Sequence, residues 1–332
     1  MESQDSNLFK ELNDRYASVF IPPSDKPDET AETTIKALWL CAAGKPVPVE
    51  DAMSTPLPAL TPATKEKLSE LLQARLRGIP LAYVVGRQKF MGLEFLCDEN
   101  ALIPRKETEI LGNAIFGLLR DEVLPTTPRA RVVDLCTGSG NLACAIGFYF
   151  PVSVVFGIDI SNEAIELANR NVQRLGLGER VKLLCGDMFA PLEGELSQGL
   201  FDMITCNPPY IDPSKFESMN PEIIAHEPKA AFDGGPFGVR ILWRLIDEAP
   251  RYLKNGGWLA FEVGLGQGEA IKKRIAKNPR FEQVKGFTDA ACNIRAIAAR
   301  FNASPGPALS PSQKALQPNQ AQQDSTQEPR KC

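Results

Sequence analysis

The sequence predicts an α/β protein with a doubly wound, mostly parallel sheet. From residue 107 to residue 277, apolar segments of strand length alternate with segments of helical periodicity. This alternation is typical of parallel sheets covered by helices on both faces. Gly138-Ser139-Gly140 follows the first predicted strand, and Asn207-Pro208-Pro209-Tyr210 follows the fourth. Open α/β sheets bind ligands at the carboxyl ends of their strands, so both segments are candidate site residues.

Each element of this domain follows from its pattern of apolar residues. Strands are predicted over 131–135, 153–158, 181–185, 201–206 and 258–262, and helices over 107–120, 141–150, 163–175, 237–253 and 267–277. We assign residues 105–301 to this domain.

Other parts of the chain differ in composition. Residues 1–30 are polar and contain Pro22-Pro23, which favours a mobile arm or a short helix over a place in the core. Residues 31–78 carry leucines at helical spacing and predict a small helical domain. In 79–104, Ala82–Val85 and Phe90–Leu96 are split by glycines and predict a β-hairpin linker. Residues 302–332 are rich in Pro, Ser, Gln and Asn and predict a disordered tail.

The composition limits the classes of function. The chain has 332 residues, 43% of them hydrophobic, and a net charge of −4, which argues against a broad nucleic-acid-binding surface. Its eight cysteines include no Cys-x-x-Cys pair, so we expect them to be reduced and the protein to be cytoplasmic. The longest apolar stretch, 143–158, contains Pro151 and is too short for a membrane span. The single histidine, His226, is expected in a loop, and no metal site is predicted.

The segment Asn207-Pro208-Pro209-Tyr210 points to chemistry at a planar nitrogen. The lone pair of an amide or aromatic amine is delocalised, so such a nitrogen is a poor nucleophile. The side-chain carbonyl of Asn207 and the backbone carbonyl of Pro208 can accept hydrogen bonds from one NH2 group and make its nitrogen more electron-rich. The two prolines stiffen the segment and offer no competing N–H, and Tyr210 can stack on the planar group. The pattern indicates methyl transfer.

The glycine segment predicts a nucleotide-like ligand. Gly138-Ser139-Gly140 precedes a helix, so backbone N–H groups can face a ligand closely. Asp159 ends the next strand, where its carboxylate can accept both hydroxyls of a ribose, although it could equally serve the N-terminus of the following helix. The loop alone fits either NAD or S-adenosylmethionine. Asp187, placed to accept from an adenine amino group, and the 207–210 segment favour S-adenosylmethionine. Asp134 is expected mainly to hold the loop.

With these residues in place, the chain resembles the class I S-adenosylmethionine methyltransferases, and more narrowly the HemK-type release-factor glutamine methyltransferases. The resemblance is carried by 80–92, by Leu102–Glu109, by Asn207–Ile211, and by Glu227-Pro228. It implies a seven-stranded class I sheet, preceded by the hairpin and by the helical domain of residues 31–78, which would recognise the substrate. It also implies S-adenosyl-L-methionine as cofactor, with S-adenosyl-L-homocysteine as product.

The resemblance assigns roles to individual residues. The cofactor would be held by Cys136, Thr137, Gly138, Ser139, Gly140, Asp159, Asp187, Met188 and Asn207. The acceptor amide would be bound, and transfer promoted, by Asn207, Pro208, Pro209 and Tyr210. The implied acceptor is the glutamine of the Gly-Gly-Gln loop of a peptide chain release factor.

Other functions fit parts of the sequence. A small-molecule N- or O-methyltransferase could use the same fold. A nucleic-acid adenine or guanine methyltransferase would need a basic face, and the chain shows none. A non-catalytic paralogue would have no physical need for the intact Gly138, Gly140, Asp159 and 207–210 set. The sequence says nothing about oligomeric state.

Overall fold

The computed structural model describes residues 3–22, 26–193 and 201–304. The N-terminal part of the described chain is helical, and its helices pack around the buried Trp39. They are α1 (Ser3–Ala17), α2 (Ala31–Ala42), α3 (Val49–Ala52), α4 (Pro62–Leu76) and α5 (Leu81–Val85). Thr30 and Thr61 form capping boxes at the starts of α2 and α4, which satisfy backbone N–H groups that the helices leave unpaired.

The N-terminus differs from the predicted mobile arm. Phe9 packs edge-on against Trp39 with ring centroids 6.1 Å apart, and Tyr16 is buried in the same cluster. The apolar residues Leu8, Leu12 and Tyr16 recur every four residues, so they form one face of a helix. Polar composition concealed this periodicity. Residues 23–25, between α1 and α2, lie outside the described residues.

The predicted hairpin linker is partly wrong. Its strands are β1 (Arg87–Phe90) and β2 (Leu93–Leu96), paired antiparallel. Ala82–Val85 is helical instead, within α5, which Gly86 ends in the left-handed conformation. Leu81, Ala82 and Val85 are buried, a spacing that fits a helix face. A run of four apolar residues is too short for its periodicity to distinguish helix from strand.

Seven strands of the described chain form the central sheet, in the order β5-β4-β3-β6-β7-β9-β8. They are β3 (Arg131–Leu135), β4 (Val154–Asp159), β5 (Val181–Cys185), β6 (Phe201–Cys206), β7 (Leu253–Glu262), β8 (Phe281–Thr288) and β9 (Ile294–Phe301). β3 to β7 are parallel, and β9 pairs antiparallel with both β7 and β8. This is the class I methyltransferase architecture, as predicted.

Helices cover both faces of the sheet. They are α6 (Thr108–Leu118), α7 (Asn141–Tyr149), α8 (Asn162–Arg174), α9 (Pro221–His226), α10 (Arg240–Glu248) and α11 (Gly268–Ile275). Side chains of α6, α7 and α8 share one apolar cluster with the sheet, and those of α10 and α11 share the other. Burial on both faces explains why β6 is buried at every position, including the polar Asp202 and Thr205.

Some boundaries and elements differ from the prediction. Apolar periodicity gave no strand for β8, because it is an edge strand of mostly half-exposed or exposed residues. The predicted helix 237–253 begins at Arg240 in the structure, and β7 starts at Leu253, five residues before the predicted strand. His226 ends α9 and does not lie in a loop. The predicted disordered tail lies outside the described residues from residue 305 onward.

Candidate active site

The site lies where the strand order of the sheet reverses. β3 is flanked by β4 on one side and β6 on the other, and Leu135 of β3 pairs with Cys206 of β6. The loops that leave these two strands therefore start side by side, one with Cys136 and the other with Asn207. A crevice opens at such a switch point because neighbouring connections run to opposite faces of the sheet.

A cavity of about 420 Å³ occupies this crevice. Nine of the residues predicted for cofactor or acceptor binding border it: Cys136, Thr137, Gly138, Ser139, Asp159, Asp187, Met188, Asn207 and Pro209. Gly140 is not among the bordering residues. It precedes α7 with φ +78°, and a Cβ there would lie 3.1 Å from the Cβ of Ala168. Gly140 thus serves close packing of loop against helix.

The loop after β3 leaves room for a ligand at Gly138. Its φ is +53°, and a Cβ built there would meet no atom within 4 Å. Cys136 also has a positive φ, +54°, which is uncommon for a residue with a side chain. Asn171 of α8 donates to the Ser139 carbonyl at 3.0 Å. The loop is therefore held in one unusual conformation that suits the close approach of a ligand to its backbone.

The position of Asp159 fits both roles predicted for it, which are binding a ribose and supporting the N-terminus of α8. Its Oδ1 accepts from the N–H of Ser161, the N-cap of α8, at 3.0 Å. Its Oδ2 accepts from the N–H of Gly138 at 2.8 Å. Burial raises the pKa of this carboxyl, and these backbone N–H groups oppose that rise. Each carboxylate oxygen has a second lone pair, so Asp159 can still accept from a ligand in the cavity that it borders.

Asp134 is a buried loop anchor that also borders the cavity. The hydroxyls of Thr137 and Thr205 donate to its two oxygens at 2.6 and 2.7 Å. Burial raises the pKa of Asp134 to about 6, although both hydroxyls favour the charged form. The carboxylate thus ties the glycine loop to β6, in keeping with the mainly structural role predicted for it.

Asp187 and Met188 line the cavity beyond β5. The carboxylate of Asp187 is engaged by Nη1 of Arg244 at 3.0 Å to each oxygen. Met188 is buried with a φ of +52°. Sequence reasoning did not select Arg244. Arg244 and Asp187 are 57 residues apart in the chain and meet only in the folded protein, so nothing in the local pattern signals the pair.

A second cavity, of about 180 Å³, adjoins the first. Asn207 borders both cavities, whereas Pro208 and Tyr210 border only the smaller one. The smaller cavity combines apolar residues such as Met219 and Phe232 with charged ones. Its charged residues are Arg105, Glu107, Glu262 and Arg295. The predicted acceptor residues are thus divided between two adjoining spaces, with Asn207 at their junction.

Hydrogen bonds fix both ends of the 207–210 segment. Nδ2 of Asn207 donates to the Thr108 hydroxyl at 3.2 Å, which leaves the Asn207 carbonyl oxygen free of that bond. The Tyr210 hydroxyl donates to Oε1 of Glu262 at 2.9 Å. Burial and the charge of Glu262 raise the pKa of Tyr210, so its hydroxyl stays neutral. Because the NH2 group of Asn207 is the group bonded to Thr108, the Asn207 oxygen is available to a ligand.

The structure joins the sequence stretches that carry the family resemblance. The N–H of Met91 in the hairpin turn donates to Glu109 at 2.8 Å. Arg105 pairs with Glu227, whose side chain is fully buried and also accepts from the N–H of Ile103 at 3.1 Å. Thr108, in the Leu102–Glu109 stretch, holds Asn207. The Leu102–Glu109 stretch and the 207–210 segment therefore meet at the cavities, and Arg105 and Asn207 border both of them.

Sequence reasoning missed the roles of Thr108 and Glu262. Glu262 ends β7 next to β6, and its position at a strand carboxyl end was the available signal. Thr108 lies within the Leu102–Glu109 stretch, but no spacing rule connects it to Asn207, 99 residues away.

Comparison with known proteins identifies the family. Residues 126–302 match the family model described as "Methyltransferase domain". A release factor glutamine methyltransferase of Gloeobacter violaceus is 36% identical over 233 residues, which cover 70% of this chain and 78% of the relative. The chain belongs to the release factor glutamine methyltransferase family. It is a methyltransferase, as the 207–210 segment predicted.

Two further relatives of this methyltransferase are informative. A release factor glutamine methyltransferase of Thermodesulfovibrio yellowstonii is 36% identical over 234 residues, covering 70% of this chain and 81% of the relative. A ribosomal protein uL3 glutamine methyltransferase of Bradyrhizobium diazoefficiens is 40% identical over 215 residues, covering 63% of this chain and 65% of the relative. Both names specify a glutamine, and they differ in the protein that carries it.

Two other features bear on the type of site. Within residues 3–22, 26–193 and 201–304, no group of His, Cys, Asp and Glu side chains is arranged to hold a metal ion. In the same ranges no helix has the length and apolar character needed to cross a membrane. His226 borders neither cavity.

Proposed function

We propose that this methyltransferase transfers a methyl group from S-adenosylmethionine to the side-chain amide nitrogen of a glutamine in a protein. The observation that carries the proposal is the position of Asn207 between two cavities, with its NH2 group bound to Thr108 and its oxygen left for a ligand. The relatives named as glutamine methyltransferases support the same acceptor.

The larger cavity fits the cofactor. Gly138 leaves open space beside the loop backbone, and Asp159 offers carboxylate lone pairs where a ribose can be bound. Cys136, Thr137 and Ser139 complete this side. Asp187 and Met188 form the opposite wall, where an adenine can be placed against Met188. When bound, S-adenosylmethionine supplies the methyl group as a sulfonium substituent and is left as S-adenosylhomocysteine.

The smaller cavity fits the glutamine side chain. The Asn207 oxygen and the Pro208 carbonyl accept hydrogen bonds from the two N–H groups of the amide. These bonds orient the nitrogen and increase its electron density. Tyr210 and the apolar side chains of Phe232 and Met219 enclose the aliphatic part of the glutamine. The residues act by orientation and by excluding water, and no covalent bond to the enzyme is needed. One proton leaves the nitrogen when the N–CH3 bond forms.

A peptide chain release factor, through its Gly-Gly-Gln loop, is the proposed partner. The helical domain formed by α1 to α5 is the proposed recognition surface, since it stands beside the acceptor cavity. Glu222 of α9 links the two parts, because it accepts from Lys26 at 2.7 Å and from Arg75 of α4 at 2.6 Å. Ile223, the next residue, borders the acceptor cavity.

A second candidate acceptor is a glutamine of ribosomal protein uL3. The Bradyrhizobium diazoefficiens relative, 40% identical over 215 residues, favours it. Both candidates use the same chemistry at the same cavity and differ only in the docking of the partner protein.

The test is a competition between the two partners. The protein is incubated with methyl-labelled S-adenosylmethionine and equal amounts of a release factor and of uL3, and the added mass is located by peptide mapping. We expect the labelled methyl group on the glutamine of the Gly-Gly-Gln loop. Label on a uL3 glutamine would instead support the second candidate. Cofactor binding with no label on either protein would contradict the glutamine proposal.

A further inference from the structure

Glu262 is a buried carboxylate in the wall of the acceptor cavity. Its residue is 2% exposed, at the carboxyl end of β7. Oε1 accepts from the Tyr210 hydroxyl at 2.9 Å, whereas Oε2 is buried with no hydrogen-bond partner among the described residues. Burying a carboxylate is costly unless hydrogen bonds compensate for the lost water. Such a group needs an explanation beyond packing.

The neighbouring group that can donate a hydrogen bond to Glu262 is the Thr108 hydroxyl. Thr108 is buried, and its hydroxyl accepts from Nδ2 of Asn207 at 3.2 Å and still has its own proton to donate. The same hydroxyl lies close enough to Glu262 to lower the pKa of that carboxyl, together with the Tyr210 hydroxyl and against the effect of burial. The unused proton of Thr108 and the unpartnered Oε2 of Glu262 are therefore complementary.

The chemistry of these groups determines the orientation of Asn207. A carboxylate can only accept hydrogen bonds, and a hydroxyl has a single proton. If the Thr108 hydroxyl donates its one hydrogen bond to Glu262, the Thr108 oxygen can otherwise only accept hydrogen bonds. The donor that it contacts is then the NH2 group of Asn207. The Asn207 oxygen then has to face the cavities, where it can accept from a substrate.

We propose that Glu262 is a positioning residue, which acts through Thr108 to aim the Asn207 oxygen at the acceptor amide and holds Tyr210 directly. The inference rests on the proposed function, because it assigns Asn207 the task of binding the acceptor NH2 group. One buried carboxylate thereby fixes both ends of the segment that presents the acceptor to the methyl group.

Other charged groups face Glu262 and have to be included. Arg295 of β9 borders the same cavity and favours the charged form of Glu262, whereas Glu107, which precedes α6, opposes it. Because the pKa of Glu262 is raised, protonation at low pH removes its acceptor-only character. A protonated Glu262 can donate to Thr108, and Thr108 can then donate to Asn207 in the reversed orientation.

The test compares variants that keep shape and remove hydrogen-bonding character. Glu262→Gln is isosteric but carries an NH2 group, and Thr108→Val removes the hydroxyl at nearly constant volume. We expect each to lower kcat about 10- to 100-fold, with the Kd for S-adenosylmethionine changed less than about threefold. The double variant is expected to lose no more than either single variant, because both break the same chain. Thr108→Ser should retain most of the activity.

The pH profile separates positioning from a structural role. For the wild type, kcat should fall on the acid side as Glu262 is protonated, and this limb should be missing in Glu262→Gln. Glu269→Gln, an exposed glutamate of α11, is the matched control and should keep the wild-type profile. Strictly additive losses in the double variant, or an acid limb retained by Glu262→Gln, would overturn the inference.

A second measurement needs no acceptor and therefore survives failure of the proposed function. In protein labelled with 15N at asparagine, the side-chain NH2 of Asn207, assigned by its absence in Asn207→Ala, should exchange with solvent more slowly in the wild type than in Thr108→Val or Glu262→Gln. Equal exchange rates would refute the role of Glu262. If the wild type methylates no glutamine yet the rates differ, the proposed function fails and the positioning chain stands. Should Glu262→Gln not fold, Thr108→Val and Thr108→Ser give the same comparison.

Discussion

The carboxylate of Asp159 accepts a hydrogen bond from the backbone N–H of Gly138 at 2.8 Å. This bond connects the end of β4 to the loop after β3, two parts of the chain that the sequence marked separately as ligand-binding. It shows that the two are one unit, because the residue expected to bind a ribose also holds the loop expected to contact the cofactor.

Asp159→Asn should weaken cofactor binding about 10-fold or more, since an amide offers one acceptor oxygen where the carboxylate offers two, and about 1.4 kcal/mol corresponds to 10-fold. Calorimetric titration with S-adenosylmethionine measures the change. Glu166→Gln, an exposed residue of α8, is the control and should bind like the wild type. Unchanged affinity in Asp159→Asn would show that Asp159 only caps α8.

Asn207→Ala should abolish methyl transfer and leave cofactor affinity nearly unchanged. The lost side chain orients the acceptor and contributes a group of the kind whose removal costs about 100-fold or more in kcat. Cofactor affinity is measured by calorimetry and transfer by incorporation of labelled methyl into the acceptor. A collapse of cofactor binding would make Asn207 a cofactor or structural residue.

Asp134→Asn should change how stability depends on pH. The pKa of Asp134 is raised from 3.8 to about 6 in the folded protein, so the folded state binds this proton more tightly than the unfolded chain does. The contribution of Asp134 to the free energy of unfolding is therefore largest below pH 3.8 and is lost as the pH rises to about 6. Urea unfolding of wild type and variant across this range tests the sign. The difference between them should vary by about 1 kcal/mol per pH unit. A constant difference would contradict the raised pKa.

Arg105→Ala should destabilise the protein by about 3–5 kcal/mol, because Glu227 would be left as a fully buried charge without its cation. Urea unfolding measures the loss. Combining Arg105→Ala with Glu227→Gln should recover part of it, since the stranded charge is then removed. Arg120→Ala, which breaks an exposed ion pair with Asp121, is the control and should have no measurable effect. A loss no greater than that of the control would show that the Arg105 pair is not buried in solution.

The parallel part of the fold could be predicted because its elements are locally encoded. β6 is buried on both faces and four of its six residues are apolar, and Gly138 and Asn207 closely follow strands. β8 could not be recognised in this way, because an edge strand with little burial has neither alternation nor an apolar run. The packing of α1 into the core was missed, because its few apolar residues gain their importance from Trp39, which belongs to another helix.

By itself, the sequence determined the sheet class, the methyltransferase chemistry and nine of the residues that border the larger cavity. These depend on short-range patterns and on the rule that parallel strands present their carboxyl ends at one edge. The tertiary structure alone decided which groups orient Asn207 and Tyr210, because Thr108 and Glu262 lie on different elements and approach them only after folding. Hydrogen bonds between distant residues depend on distances of a few ångströms, and no periodicity in the chain encodes them.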